Sequence, residues 1–291
     1  VTANHFGDRL ASAVRRVGTP LCVGLDPRWE SLPVEFRARG SDSRAQRAHA
    51  YEAFCARVLH LVAGRVAVVK PQSAFFEACG WAGVQALENV MHRARELGLL
   101  TILDAKRNDI ASTAEAYAEA AFDVAQADAL TVSPYLGEDS LVPFATKARM
   151  AGRGLFVLVR TSNAGAGQFQ NRVCDGDPLY ATVGSAVDAL NAGHVGACGF
   201  GDLGAVVGAT SPAELRDLRR RFPRLWFLIP GYGAQGGTAD QVRPAFDDHG
   251  LGAVVNSSRG ILFPYHPDDT RWEAAIENAL SQAINQLPKV P

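Results

Sequence analysis

The stretch Leu99-Leu100-Thr101-Ile102-Leu103-Asp104-Ala105-Lys106-Arg107-Asn108-Asp109 sets an apolar, β-rich run directly before two acids and a lysine. Side chains of a strand alternate between faces with a period of two, so the spacing predicts Asp104 and Lys106 on one side and Ala105 on the other. An acid and an amine at the end of a buried strand are costly to place unless they pair or do chemistry. The same pattern, an apolar run ending in polar residues, recurs along the whole chain.

Short β-rich runs cover Leu21 to Asp26, Val66 to Lys70, Leu100 to Asp104 and Ala129 to Ser133. Four more follow at Leu155 to Arg160, Gly204 to Gly208, Trp226 to Pro230 and Ala253 to Asn256. Segments with helical spacing separate them, among them Gln46 to Leu61, Val84 to Leu97, Ile110 to Ala127 and Leu179 to Ala192. Strands alternating with helices imply a parallel sheet covered by helices, and runs without polar alternation fit strands buried on both faces. About eight such units predict an α/β protein built as a single (β/α)8 TIM barrel over residues 1–291. Phe6, Leu10, Val14 and Val17 fall on one helical stripe, which reads as an N-terminal capping helix rather than the core of a signal peptide. The Gly/Asn/Gln-rich stretch Thr161 to Asp177 is long for a connection, and such loops tend to be lids or binding segments.

Composition narrows the class. The chain has 291 residues, is 47% hydrophobic and carries a formal net charge of −1, which gives no wholesale attraction to nucleic acid or an anionic membrane. No apolar run approaches membrane-spanning length. The five cysteines (Cys22, Cys55, Cys79, Cys174 and Cys198) are scattered with no Cys-x-x-Cys, which fits reduced, mostly buried thiols in a cytoplasmic protein. The seven histidines show no metal-ligand spacing.

The charged residues fall together at one end of the predicted strands. Asp26, Lys70, Asp104 with Lys106, Ser133, Arg160 with Ser162, and Ser257 with Arg259 all lie at or just past strand C-termini, the face on which barrels build active sites. Two late segments suit an anion: Gly231-Tyr232-Gly233-Ala234-Gln235-Gly236-Gly237 after the seventh strand, and Val255-Asn256-Ser257-Ser258-Arg259-Gly260 at the eighth. Barrels often hold phosphate between these two loops, where glycines let backbone amides approach and an arginine adds a charge-assisted contact. The first segment also matches G-x-G-x-x-G. Only one strand remains after it, however, and no acid ends that strand, so a dinucleotide-binding unit is not expected.

With these residues in view, the chain resembles the orotidine 5′-phosphate decarboxylase family in its longer, type 2 variant. The resemblance runs from Leu21-Cys22-Val23-Gly24-Leu25-Asp26-Pro27 to Arg259. Its anchors are Val69-Lys70-Pro71-Gln72, Asp104-x-Lys106-x-x-Asp109-Ile110, Thr161-Ser162-Asn163, Pro230-Gly231-x-Gly233-x-Gln235-Gly236-Gly237 and Ser258-Arg259-Gly260. It implies an array of Lys70, Asp104, Lys106 and Asp109, with Lys106 protonating C6 of the pyrimidine and Asp104 beside the departing carboxylate. Asp109 and Thr113 would reach the ribose from the other subunit of a homodimer. Asp26 and Lys70 would hold ribose hydroxyls, Ser162 the pyrimidine, and Gln235 and Arg259 the phosphate, with Ser258 a further substrate-binding residue. The implied reaction converts orotidine 5′-monophosphate to UMP and CO2, the last step of de novo pyrimidine nucleotide synthesis, with no cofactor or metal and no nucleic-acid or membrane partner.

Two rival readings follow from the same residues. A metal-dependent sugar-phosphate decarboxylase or aldolase of the same barrel suprafamily shares Asp-x-Lys-x-x-Asp, but it would favour a carboxylate where the second strand ends in Lys70. A catalytically silent nucleotide-binding barrel would need Gln235 and Arg259 without the acid–amine array.

Overall fold

Alternate residues of the buried strands enter two different cores, and that division builds the barrel. The computed structural model describes residues 5–37, 43–209, 212–232 and 238–291. Ten strands are present among the described residues: β1 (Leu21–Leu25), β2 (Val68–Pro71), β3 (Leu100–Arg107), β4 (Ala129–Val132), β5 (Gly154–Arg160), β6 (Val173–Cys174), β7 (Asp177–Pro178), β8 (Leu203–Val207), β9 (Trp226–Ile229) and β10 (Ala253–Ser257). Eight of them close in the order β1-β10-β9-β8-β5-β4-β3-β2, with every neighbouring pair parallel. These eight are the eight strands expected from the sequence, most with ends within a residue or two. The expected (β/α)8 barrel is therefore what forms.

Leu21, Val23, Val69, Leu103, Leu130, Val132, Leu155 and Val157 point outward into a large core beneath the surrounding helices. Cys22, Val68, Ile102, Ala129, Phe156, Trp226, Leu228 and Val254 fill the barrel interior. Continuing the inward set by two or four residues along each strand leads to Asp26, Lys70, Asp104, Thr131 and Asn256. The interior is thus apolar at the N-terminal end of the strands and polar at the C-terminal end.

The helix Phe6–Val17 closes the apolar end. Phe6, Leu10 and Val14 recur every four residues on one face and join the inner core, as the stripe predicts. The Phe6 ring meets Phe156 edge to face, with centroids 6.1 Å apart. It also lies over Gly154, where a Cβ would overlap the ring, so the start of β5 has room only for glycine.

On the outside, the helix Arg44–Val62 begins at a capping box in which Ser43 and Gln46 satisfy each other's backbone amides. The segment read as one helix from Ile110 to Ala127 instead forms Ala111–Glu119 and then widens into a π turn over Ala120–Val124. Thr161 to Asp177 is not a bare loop. It carries a 3-10 turn (Ala164–Ala166), a short helix (Gly167–Gln170) and the antiparallel pair β6 and β7. Among the described residues no helix is long and apolar enough to cross a membrane.

Candidate active site at the C-terminal end of the barrel

Asp104 is the hub of the polar layer. Lys70 Nζ donates to Asp104 Oδ2 at 2.5 Å and Lys106 Nζ to Asp104 Oδ1 at 2.6 Å. Gln72 Nε2 donates to Oδ2 at 3.0 Å and the Thr131 hydroxyl to Oδ1 at 3.0 Å. Each carboxylate oxygen therefore takes one ammonium and one neutral donor, which offsets the cost of burying the charge. The side chains of Lys70 and Asp104 are only 5% and 9% exposed, whereas that of Lys106 is 46% exposed.

Asp104 and Lys106 do meet on one side, but regular pleating is not the reason. Between Leu103 and Arg107 the register of β3 against β4 shifts: Leu103 pairs with Leu130, whereas Arg107 pairs with Val132. Four residues of β3 thus span two of β4, and the backbone takes up the excess with Lys106 at φ 48°. The left-handed region is unusual for a lysine and marks local strain. The Thr131 hydroxyl sits inside the bulge and accepts the N–H of Ala105 at 3.0 Å and of Lys106 at 2.9 Å. No motif in the sequence singles out Thr131. Its one signal is a hydroxyl at an inward position of the apolar run Ala129-Leu130-Thr131-Val132.

The cleft above this cluster is lined by Asp26, Arg28, Lys70, Gln72, Asp104, Gly231, Tyr232, Asn256, Ser258 and Arg259. Asp26 Oδ1 is buried and has no hydrogen-bond partner among the described residues, leaving an acceptor free beside the cleft. Just past the end of the neighbouring strand β10, the Ser258 hydroxyl accepts from Asn256 Nδ2 at 3.2 Å. It sits so close to β1 that a Cβ at Gly24 would collide with it, which makes glycine necessary there. Arg259 opens the short helix Arg259–Leu262 and is exposed at the rim. Arg28, which no sequence motif marks, also lines the cleft, with its guanidinium 5.7 Å from the Phe75 ring centroid.

The remaining expected site residues lie apart from this cleft. Ser162 packs against Gly208, just beyond the end of β8. The turn that carries it is held by Gln170, whose side chain accepts from the Thr161 amide at 2.9 Å and donates to the Thr161 hydroxyl at 2.8 Å. Arg160 is committed to this support, donating to Glu214 at 3.0 Å and to the Thr161 carbonyl at 3.0 Å. Asp109 does not join the Lys70–Asp104–Lys106 cluster of its own chain; its carboxylate accepts from the Ile110 amide at 2.9 Å. Thr113 is exposed on the first turn of Ala111–Glu119. Gln235 lies outside the described residues.

Charge and burial act against each other here, and charge prevails. Burial would raise the Asp104 carboxyl, but Lys70 and Lys106 hold it well below the usual carboxylate range. Burial would lower Lys70, yet Asp104 and then Asp26 carry its ammonium above the ordinary lysine value. Burial pushes the thiol of Cys22, two residues below Gly24 on the inward side, up to about 12, so it stays protonated and is no nucleophile. Cys55 and Cys79 are also buried, Cys198 is half-buried and Cys174 is exposed.

A closed parallel barrel with an acid held between two amines at the C-terminal face, beside an arginine at a helix start, defines the class of (β/α)8-barrel enzymes that act on small anionic substrates. Residues 19–270 match the family model described as Orotidine 5'-phosphate decarboxylase / HUMPS family. Over 97% of this chain and 98% of its own length, the orotidine 5'-phosphate decarboxylase of Rhodopirellula baltica is 46% identical. That of Roseiflexus castenholzii is 44% identical, with 97% of each protein covered. The structure of Leishmania donovani OMP decarboxylase superposes with a TM-score of 0.77 at 34% identity, covering 97% of this chain and 96% of its own. The chain belongs to the orotidine 5′-phosphate decarboxylase / HUMPS family.

Proposed function

We propose that this protein decarboxylates orotidine 5′-monophosphate to UMP and CO2, with Lys106 as proton donor. The observation that carries the reading is the Lys70–Asp104–Lys106 cluster at the mouth of a barrel of this family, with both amines bonded to one carboxylate. The bond between C6 and the carboxylate breaks, its electron pair stays on C6, and CO2 leaves. The Lys106 ammonium then gives C6 a proton and regains one from water. A fixed ammonium beside C6 gains in interaction energy as negative charge develops there, so it stabilises the transition state more than the substrate. Two unit charges about 4 Å apart are worth roughly 4 kcal/mol at an effective dielectric near 20, too little for a very large acceleration. The remainder comes from preorganisation and from phosphate binding by Arg259, Ser258 and Gln235, with Asp26 and Lys70 on the ribose and Ser162 on the base.

The donor set supports chemistry without a metal. A cation at Asp104 would face two ammonium groups, and both carboxylate oxygens already have two donors. We further propose a cytoplasmic homodimer of one-barrel subunits, in which Asp109 and Thr113 complete the neighbour's site. Support comes from the exposed apolar residues Ile110, Tyr117, Tyr135 and Leu136 on the segments that follow β3 and β4, the first of which also carries Asp109 and Thr113.

The test is turnover of orotidine 5′-monophosphate by purified protein in EDTA, followed by the loss of orotate absorbance. We expect full activity in EDTA and a loss of more than about 1,000-fold in Lys106→Ala, which should still bind UMP. No turnover by the wild type at high enzyme concentration would reject the reading. Activity abolished by EDTA would favour the metal-dependent relatives.

A further inference from the structure

We propose that Thr131 is a positioning residue of the reaction: its hydroxyl holds the bulge of β3 in the one shape that brings the Lys106 ammonium to Asp104. The proposal rests on Lys106 being the proton donor and adds a residue that acts through it. A hydroxyl has one proton to donate and two lone pairs to accept with. Thr131 uses all three within one turn of the site, donating to Asp104 Oδ1 and accepting from the amides of Ala105 and Lys106. The side chain is buried, on the strand next to β3, so water does not readily substitute.

Removing the hydroxyl has two effects at one point. Two backbone amides lose an acceptor inside a strand whose pairing already slips there, and Asp104 loses one of its four donors. Lys106 sits at φ 48°, a conformation that persists only where the surroundings hold it. Without the hydroxyl the bulge relaxes toward ordinary strand geometry, and the Lys106 side chain leaves its position over Asp104. The groups that line the rest of the cleft (Asp26, Asn256, Ser258 and Arg259) lie on other strands and loops and do not move with it. A displaced proton donor with intact binding groups slows the chemistry and spares affinity.

The experiment compares Thr131→Val, which matches threonine in shape, with Thr131→Ser, which keeps the hydroxyl. Thr131→Val should lower kcat by about 10- to 100-fold, the cost of misplacing a reacting group by about 1 Å, with KM and the UMP dissociation constant changed less than about 3-fold. Exchange of the UMP C6 hydrogen with D2O on the enzyme, followed by NMR, should slow by a similar factor, because it reads the Lys106 proton transfer without the loss of CO2. Thr131→Ser should rescue both rates to within about 5-fold of wild type. A Thr131→Val enzyme with wild-type kcat overturns the proposal. So does one whose loss appears equally in KM and UMP affinity, since a merely structural hydroxyl would produce that. Should Thr131→Val not fold, Thr131→Ala takes its place with the same expected split, and failure of both to fold assigns the hydroxyl to barrel stability and overturns the proposal. Absence of turnover in the wild type would instead reject the decarboxylase reading itself.

Discussion

Asp104 and Lys70 support each other's charge, with Lys106 and Asp26 adding to the same effect, and that dependence can be read in the pH response of the fold. The folded Asp104 pKa lies below its ordinary 3.8, so its charge contributes stability at every pH above 3.8 and loses it only as pH falls through the depressed value. The folded Lys70 pKa lies above 10.5, so its contribution is complete below pH 10.5 and is lost as pH rises through the raised value. Between those limits the pair adds no slope. Asp104→Asn removes the partner and leaves burial as the dominant influence on Lys70, whose pKa then falls below 10.5. We expect that variant to be about 3 kcal/mol less stable at pH 7 and to regain part of the loss as pH approaches 10, because the folded state then prefers the neutral amine. Denaturant unfolding at pH 6, 8 and 10 measures this. Stability that is flat or falls over that range would show that Lys70 does not depend on Asp104.

Among the elements, the helix Phe6–Val17 and the strand β3 show what was legible in the sequence and what was not. The helix announces itself through Phe6, Leu10 and Val14, since apolar side chains repeating every four residues line up only along one face of a helix. Its place at the N-terminal end of the barrel leads to a prediction. Phe6→Ala, which removes a ring that is 2% exposed, should cost about 3 to 5 kcal/mol in a denaturant titration and leave kcat unchanged wherever the protein is folded. A drop in kcat with stability intact would couple the two ends of the barrel. The eight barrel strands were legible for a similar reason, because buried runs of Val, Ile and Leu between helical segments are strongly periodic. The bulge in β3 was not. Strand spacing alone put Asp104 and Lys106 on one side, whereas the contact depends on a register slip against β4 and on Thr131, 25 residues beyond Lys106. The π turn at Ala120–Val124 was hidden likewise, since it leaves the apolar spacing helical. Ser162 lies in a turn set by Gln170 and Arg160, contacts made in three dimensions that no local pattern encodes.

For the whole molecule, the separation of Asp109 from its own cluster has a consequence in solution. If Asp109 serves the neighbouring subunit, Asp109→Ala and Lys106→Ala proteins, each inactive, should recover activity when their subunits are exchanged. Random pairing makes half the dimers mixed, each with one intact site of two, so about a quarter of wild-type activity is expected. Absence of recovery, with exchange verified by mass, would place a complete site within each subunit. One further consequence follows from the seam of the barrel. β1 pairs with β10, and the cleft lies across that junction, with Asp26 on one bank and Asn256, Ser258 and Arg259 on the other. On the ribosome, the first strand therefore waits for the last before the cleft has its second wall. A nascent chain already holding Lys70, Asp104 and Lys106 remains half a site until β10 emerges and docks, so completion of the barrel itself turns the enzyme on.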